Sequence, residues 1–209
     1  MIPPPQSRLA GLILAAGASS RIGAPKALLP IGGETFLDRL IAILLPVCDP
    51  VAVVVGAHRG RIAAGIARGH DVVLIDNPDP HRGMMSSLQC GLRALPPTAS
   101  GVLFTLVDCP AILPSTVDAV VRHFFAQSLA VAVPEYNGRR GHPVCISPAV
   151  VRDLLAAPFA TQPRDVIQLH RTPASILAIN DPGIVADADR PEDYAAVASL
   201  GLRNSERPV

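Results

Sequence analysis

The segment Leu14-Ala15-Ala16-Gly17-Ala18-Ser19-Ser20-Arg21-Ile22-Gly23-Ala24-Pro25-Lys26 closes a short apolar run and joins small residues to two cations. Small side chains let backbone N–H groups approach phosphate oxygens, and Arg21 and Lys26 supply positive charge to the same anion. That chemistry is the holding of a phosphate or polyphosphate. As a plain connection between two elements, the same loop would leave both cations solvated. Two other phosphate motifs are excluded: Walker A needs Ser or Thr after its lysine, where Ala27 stands, and the dinucleotide fingerprint needs G-x-G-x-x-G, whereas Ala18 to Ile22 contains no glycine. Lys26 is the one lysine of the chain, against 17 arginines. A sequence so biased toward Arg that keeps a Lys in a Gly/Ser loop marks a position where a compact ammonium works and a planar guanidinium does not.

Asp108 stands where the apolar run Val102 to Val107 ends, and Cys109-Pro110 prevents that run from continuing. A carboxylate there can hold Mg²⁺, which takes one or two carboxylates plus water and substrate phosphates, or it can cap the next turn. Asp187 and Asp189 offer a second carboxylate, or an N-terminal cap for a helix starting near Pro191. Pro80 to Ser87 precedes a helix, so N–H groups and the Ser86 and Ser87 hydroxyls at its start can recognise a base or ribose; either serine can equally be an N-cap. Arg139, Arg140 and His142 surround a turn before a strand, as an anion site or as a solvated hairpin tip. His58, His70, His123 and His170 are dispersed and receive no role. The cysteines at 48, 90, 109 and 145 contain no C-x-x-C pair, which speaks against zinc or disulfide frameworks and for a reducing cytosol. They read as small buried hydrophobes, with Cys109, beside Asp108, the one that could be accessible.

These residues need elements to place them. Short apolar runs of the kind that form strands buried on both faces occur at Leu9 to Ala15, Val51 to Val55, Val72 to Ile75, Val102 to Val107, Leu129 to Val133, Val144 to Ile146 and Ser175 to Ile179. Between them the sequence predicts helices at Phe36 to Leu45, Arg59 to Arg68, Ser86 to Leu95, Ser115 to Gln127, Ala149 to Ala156 and Pro191 to Leu200. The alternation implies a largely parallel sheet with helices on both faces. Tyr136 to Gly141, with Asn137-Gly138 at its centre, predicts a turn between strands and so one local antiparallel excursion. In open α/β sheets ligands bind outside the carboxyl ends of the strands, where Gly17 to Lys26, Pro80 to Ser87, Asp108 to Pro110 and Asp187 to Asp193 all fall. We expect an extended tail over 1–7, one domain over 8–202 and a tail over 203–209.

Composition is consistent with this picture. The 209 residues are 49% hydrophobic and 17% charged, enough to bury one core and too few for two comfortable domains. A net charge of +1 does not suggest a nucleic-acid or membrane-surface binder. Charges or prolines interrupt every apolar run before the ~18 residues a membrane-spanning helix requires. Arg8 with Leu9 to Ala16 has the outline of a signal peptide, but cleavage there would detach the strand that supports the first loop.

The pattern L-A-A-G-x-S-x-R-x-G-x-x-K resembles the opening signature of the NTP transferases that make molybdenum-cofactor dinucleotides, within the nucleotide-diphospho-sugar transferase fold. Gly83-Met84-Met85-Ser86-Ser87-Leu88, Val107-Asp108-Cys109-Pro110, Gly141-His142-Pro143-Val144 and Asp187-Ala188-Asp189-Arg190-Pro191-Glu192-Asp193 follow in that family's order. The resemblance is strongest to its CTP:molybdopterin cytidylyltransferase branch; the guanylyl branch usually carries Gly-Gly in the first loop and Gly-Pro-x-x-Gly in the second. Met85 departs from the cytidylyl pattern by standing at the first serine position.

The resemblance implies a Rossmann-like three-layer α/β sandwich and transfer of CMP from CTP to the terminal phosphate of molybdopterin, with release of pyrophosphate. It implies catalytic roles for Arg21, Lys26 and Asp108, and nucleotide contacts from Ala15, Ala16, Gly17, Ala18, Ser19, Arg21, Gly23, Lys26, Gly83, Ser86, Ser87 and Asp108. Mg²⁺ would sit on Asp108 and Asp189, with Asp187 as the second choice for the latter, and the pterin would lie near Arg139, Arg140 and His142. A cytoplasmic enzyme, monomeric and serving a recipient molybdoenzyme, is the matching expectation. A GTP-dependent or sugar- or polyol-phosphate transferase of the same fold, an NAD(P)-dependent oxidoreductase and a non-catalytic cofactor carrier are the alternatives.

Overall fold

The computed structural model describes residues 8–17 and 24–205. In chain order these form β1 (Leu9–Ala15), β2 (Pro30–Ile31), β3 (Glu34–Thr35), α1 (Phe36–Leu44), β4 (Cys48–Val55), α2 (Arg59–Gly65), β5 (Val73–Asp76), α3 (Met84–Ala94), β6 (Val102–Leu106), α4 (Pro114–Ala126), β7 (Val131–Tyr136), β8 (Arg139–Arg140), β9 (Val144–Ile146), α5 (Pro148–Ala156), α6 (Pro163–Leu169), β10 (Ile176–Ala178) and α7 (Pro191–Ser205).

Every residue of β1 is buried, because this strand lies at the middle of the main sheet with β4 on one side and β6 on the other, both parallel to it. The sheet order is β10-β7-β9-β6-β1-β4-β5, with β8 paired to β7. Alternate β1 side chains enter opposite layers. Leu9 and Ile13 pack with Leu40 and Leu44 of α1 and Val120 and Phe124 of α4, while Leu12 and Leu14 pack with Leu88 and Leu92 of α3, Leu154 of α5 and Ile167 of α6. A strand apolar at every position is what two covered faces require. This is a three-layer α/β sandwich of mostly parallel strands, as the alternation of apolar runs and helical patterns predicts.

The antiparallel part is β9, inserted between β6 and β7 and antiparallel to both, together with β8. The β7–β8 turn places Asn137 at φ 48° and Gly138 at φ 75°, the two positive values that a tight two-residue hairpin demands. On the opposite face, α3 lies unusually close to the sheet. A Cβ at Gly91 would stand 2.5 Å from Leu12 Cδ1 and 2.8 Å from Val54 Cγ2. Only glycine permits that approach, and it carries the start of α3 toward the end of β1.

Several boundaries differ from the sequence-based expectation. β4 begins three residues before Val51, α2 ends three residues before Arg68, and α7 continues to Ser205, past the expected domain limit at 202. The β2–β3 hairpin and α6 carried no sequence signal: α6 spans seven residues and buries Pro163, Val166 and Ile167, too short a stretch for a periodic pattern to stand out. The four cysteines are free thiols; Cys48, Cys109 and Cys145 are buried, whereas Cys90 is partly exposed. Among the described residues no helix is long and apolar enough to cross a membrane.

The chain returns to the site through a segment fixed by Asp181. This wholly buried carboxylate accepts from Leu113 N at 2.9 Å and Thr116 Oγ1 at 2.6 Å at the start of α4, and from Gly183 N at 2.8 Å. A negative charge at a helix N-terminus is favourable, and here it also ties residues 181–183 to that terminus. Asp181→Ala leaves three donors without their acceptor, at a cost of about 3 kcal/mol of stability, measurable by urea denaturation. A loss below about 1 kcal/mol would contradict this assignment.

Candidate active site

The end of β1 and the end of β6 lie side by side, with Leu14 in register with Leu106 and Val107 N donating to Leu14 O at 3.1 Å. β4 and β5 continue the sheet on one side of β1 and β6 on the other, so the order reverses at this point. Such a reversal opens a crevice above the carboxyl ends. A cavity of about 350 Å³ occupies it. Its walls come from Ala15, Ala16 and Gly17 after β1, Lys26, His58 before α2, Gly83, Met84 and Ser87 at the start of α3, Asp108 after β6, and Asp189 before α7.

Lys26 opens a short 3-10 turn, Lys26–Leu28, secured by Leu28 N to Pro25 O at 2.9 Å and by the buried Ala27. Its ammonium lies 2.6 Å from Asp189 Oδ1 and 3.5 Å from Asp108 Oδ2. The Lys26 side chain is 14% exposed and that of Asp108 22%, so this contact is largely sheltered, while Asp189 is half open at 50%. Two backbone bonds hold Asp108 in place: Cys109 N to Leu106 O at 3.2 Å, and Ala188 N to Asp108 O at 2.9 Å. The second of these links Asp108 to the segment that carries Asp189. Beneath them Arg39, buried on α1, donates from Nε to Pro110 O at 2.9 Å and from a terminal nitrogen to Gly201 O at 3.3 Å. One guanidinium thus ties the loop after Asp108 to the helix after Asp189.

The environment decides the protonation of two neighbours. Cys109 is buried rather than accessible; burial first, then the charges of Asp108, Asp187 and Asp189, hold its thiol well above its ordinary pKa, so it remains an S–H. It lies 3.6 Å from Asp108 Oδ1 as a weak donor. His142 has its pKa lowered by burial, against an opposing pull from Asp108.

The profile of the MobA-like NTP transferase domain matches residues 11–174, well over half of the chain. The chain belongs to the MobA-like NTP transferase family. A molybdenum cofactor cytidylyltransferase of Escherichia coli (strain K12) is 26% identical over 185 residues, 88% of this chain and 92% of that protein. A molybdenum cofactor guanylyltransferase of Rhodobacter capsulatus is 30% identical over 193 residues, 90% of this chain and 94% of that protein. The crystal structure of Rv0371c from Mycobacterium tuberculosis H37Rv superposes with a TM-score of 0.79 at 26% identity, covering 94% of this chain and 100% of that one. A manganese complex of Rv0371c matches at 0.74 and 25% identity, covering 92% and 98%.

As a MobA-like NTP transferase the chain is a nucleotidyltransferase, and its cavity gathers only part of what the motifs suggest. Ala15, Ala16, Gly17, Lys26, Gly83, Ser87, Asp108 and Asp189 meet at the cavity. Ala18, Ser19, Arg21 and Gly23 lie outside the described residues. Asp187 is exposed and off the cavity wall, and Asp189 rather than Asp187 reaches Lys26. Ser86 also turns away, donating to Asp79 O at 2.9 Å. Arg139 and Arg140 are exposed on β8, with Arg140 Nε 3.6 Å from Glu135, and neither lines the cavity. The His142 ring packs edge-on to Phe104, with ring centroids 5.5 Å apart, and the His142 backbone N–H donates to Ile184 O at 3.0 Å. The two arginines stand at an exposed hairpin, and the buried Nδ1 of His142 has no hydrogen-bond partner among the described residues.

Met85, at the expected serine position, is 2% exposed and packs with Leu88 and Leu92, so it faces the core and not the cavity. His58, dispersed in sequence, forms part of the wall because the chain leaves β4 beside β1.

Lys26→Ala and Asp108→Ala are each expected to lower kcat about 100- to 1,000-fold while thermal unfolding stays cooperative, because each removes one partner of the charged contact on the cavity wall. Near-normal rates in both would refute their role. For His142 the unfolded imidazole gains its proton near its ordinary pKa of 6.5. The folded one does so lower, so as pH falls through 6.5 the unfolded state binds more protons and stability falls with falling pH. His142→Gln should flatten that decline in urea titrations; an unchanged slope would assign it to other groups.

Proposed function

We propose that the chain transfers CMP from CTP to the terminal phosphate of molybdopterin, releasing pyrophosphate. The observation that carries this reading is the contact of Lys26 with Asp108 and Asp189 on the wall of a cavity floored by the backbone of Ala15 to Gly17. An ammonium and two carboxylates suit a polyphosphate accompanied by a hard cation. Asp108 and Asp189 would hold a divalent ion, Mg²⁺ in this reading, which when bound neutralises phosphate charge. Their donor set fits: two oxygen ligands are what such an ion takes from protein when waters and phosphates complete its shell. Among the described residues no cluster of three His, Cys, Asp or Glu competes for it.

The acceptor is a phosphate monoester, already ionised at neutral pH, so no side chain has to remove a proton from it. One of its oxygens attacks the α-phosphorus of the nucleotide in line, the bond from that phosphorus to the bridging oxygen breaks, and pyrophosphate leaves. Catalysis of this kind is positioning and charge neutralisation. Lys26 serves both purposes: its contact with Asp189 fixes the ammonium at the cavity wall, and its charge faces the phosphates. No nucleophilic residue is required, in keeping with a Cys109 thiol held protonated.

Cytidylyl transfer is preferred over guanylyl transfer because the second loop reads Gly83-Met84-Met85-Ser86-Ser87 and lacks the Gly-Pro-x-x-Gly of the guanylyl branch. The burial of Met85 supports this, since its departure from the cytidylyl pattern alters the core and leaves Gly83, Met84 and Ser87 on the wall. The product would pass to a recipient molybdoenzyme. Pyrophosphate release with Mg²⁺, molybdopterin and each of CTP, GTP, ATP and UTP tests the proposal. Release with CTP alone is expected. Release with GTP alone would make the chain a guanylyltransferase, and release with none, from folded protein and active acceptor, would point to a carrier.

A further inference from the structure

Asn77 lies one residue past β5, is almost wholly buried, and does not touch the cavity. All of its polar groups are engaged. Its backbone N–H donates to Val55 O at 2.8 Å, and its Oδ1 accepts from Asp79 N at 2.9 Å. Because a backbone N–H can only donate, the second contact fixes which end of the amide is oxygen. The other end is therefore the NH₂ group, and it donates to Ser86 Oγ at 2.8 Å and to Ser87 Oγ at 3.0 Å.

The consequence differs between the two serines. The Ser86 hydroxyl accepts from Asn77 and passes its own proton to Asp79 O at 2.9 Å, so it is used up in the scaffold. The Ser87 hydroxyl also accepts from Asn77, but among the described residues its proton has no acceptor, and Ser87 is on the cavity wall. A hydroxyl carries two lone pairs and one hydrogen; because the Asn77 NH₂ donates to one lone pair and cannot accept, the Ser87 hydrogen points away from Asn77 and the second lone pair stays open. We propose that Asn77 is a positioning residue for nucleotide binding: by donating to Ser87 Oγ and accepting nothing from it, Asn77 keeps the Ser87 hydrogen turned away from itself and available at the cavity, where it meets a lone-pair atom of the nucleobase.

This rests on the nucleotidyl-transfer reading of the cavity and adds to it the polarity of one wall. A hydroxyl or carboxylate at position 77 would offer the Ser87 hydrogen an acceptor on the side away from the cavity. Asparagine prevents that because its oxygen is pinned by Asp79 N.

The test is equilibrium binding of Mg–CTP, by calorimetry, to the full chain and to Asn77→Asp, Ser87→Ala and the double variant. In Asn77→Asp the side chain accepts from both serines instead of donating, so Ser87 turns its proton inward and presents lone pairs to the base. About tenfold weaker binding is expected, as is a similar loss in Ser87→Ala. The double variant should bind as Ser87→Ala does, since Asn77 acts only through that hydroxyl. A purely structural role would lower thermal stability in both backgrounds and give additive losses of affinity, which overturns the proposal. Unchanged affinity in folded Asn77→Asp also overturns it. Should Asn77→Asp not fold, Asn77→Ser takes its place, with the same loss expected from a hydroxyl able to accept the Ser87 hydrogen and an unchanged affinity overturning the proposal. Wild-type protein that binds neither Mg–CTP nor Mg–GTP would instead refute the nucleotide reading itself.

Discussion

Lys26 holds together two carboxylates that stand 82 and 163 residues away in sequence, and the arrangement of the site follows from bringing the three to one place. An ammonium is compact enough to lie 2.6 Å from one carboxylate and 3.5 Å from the other. A guanidinium needs a planar, two-pronged partner and would claim one carboxylate for itself. This gives a physical reason for the single lysine in a chain that otherwise uses arginine. The pair with Asp108 is sheltered enough that losing either partner leaves a poorly solvated charge, whereas Asp189 is half exposed.

Each arm of this arrangement has its own anchor. Asp108 is placed by β6 running parallel to β1, in a register that ends both strands at one level. Asp189 has no strand beneath it and depends on polar anchors: Asp181 ties the returning chain to the start of α4, Ala188 N bonds Asp108 O, and Arg39 clasps α7 through Gly201 O. Buried polar groups of this kind are costly unless every donor and acceptor is met. Asp181 meets that condition with three donors, and Arg39 with carbonyls and Glu34.

What the sequence discloses and what it hides divide along the same physical line. The apolar runs of β1 and β6 identify themselves because strands covered on both faces must be apolar throughout, and Lys26 and Asp108 are legible because each follows such a run. Ser86 and Ser87 are adjacent in sequence, yet successive helical residues point about 100° apart, so only one of them reaches the cavity. Asn77, Asp181 and Arg39 are invisible beforehand because their partners are backbone groups or hydroxyls brought near by the fold. Arg139, Arg140 and His142 share one motif, but the fold separates them: β8 leaves the two arginines exposed and His142 packs on Phe104.

The two ends of the cavity are built on separate supports. At one end stand Lys26, Asp108 and Asp189, whose anchors run through β1, β6, α1 and α4. At the other, Gly83, Met84 and Ser87 depend on α3, whose close approach is set by Gly91 against Leu12 and whose hydroxyls are set by Asn77. No hydrogen bond described above joins Asn77 to Lys26 or to either carboxylate. Side chains at the α3 end can therefore change without disturbing the charged end. A family built this way can exchange one base for another while keeping its phosphate chemistry, which accounts for a cytidylyltransferase and a guanylyltransferase both resembling this chain, at 26% and 30% identity.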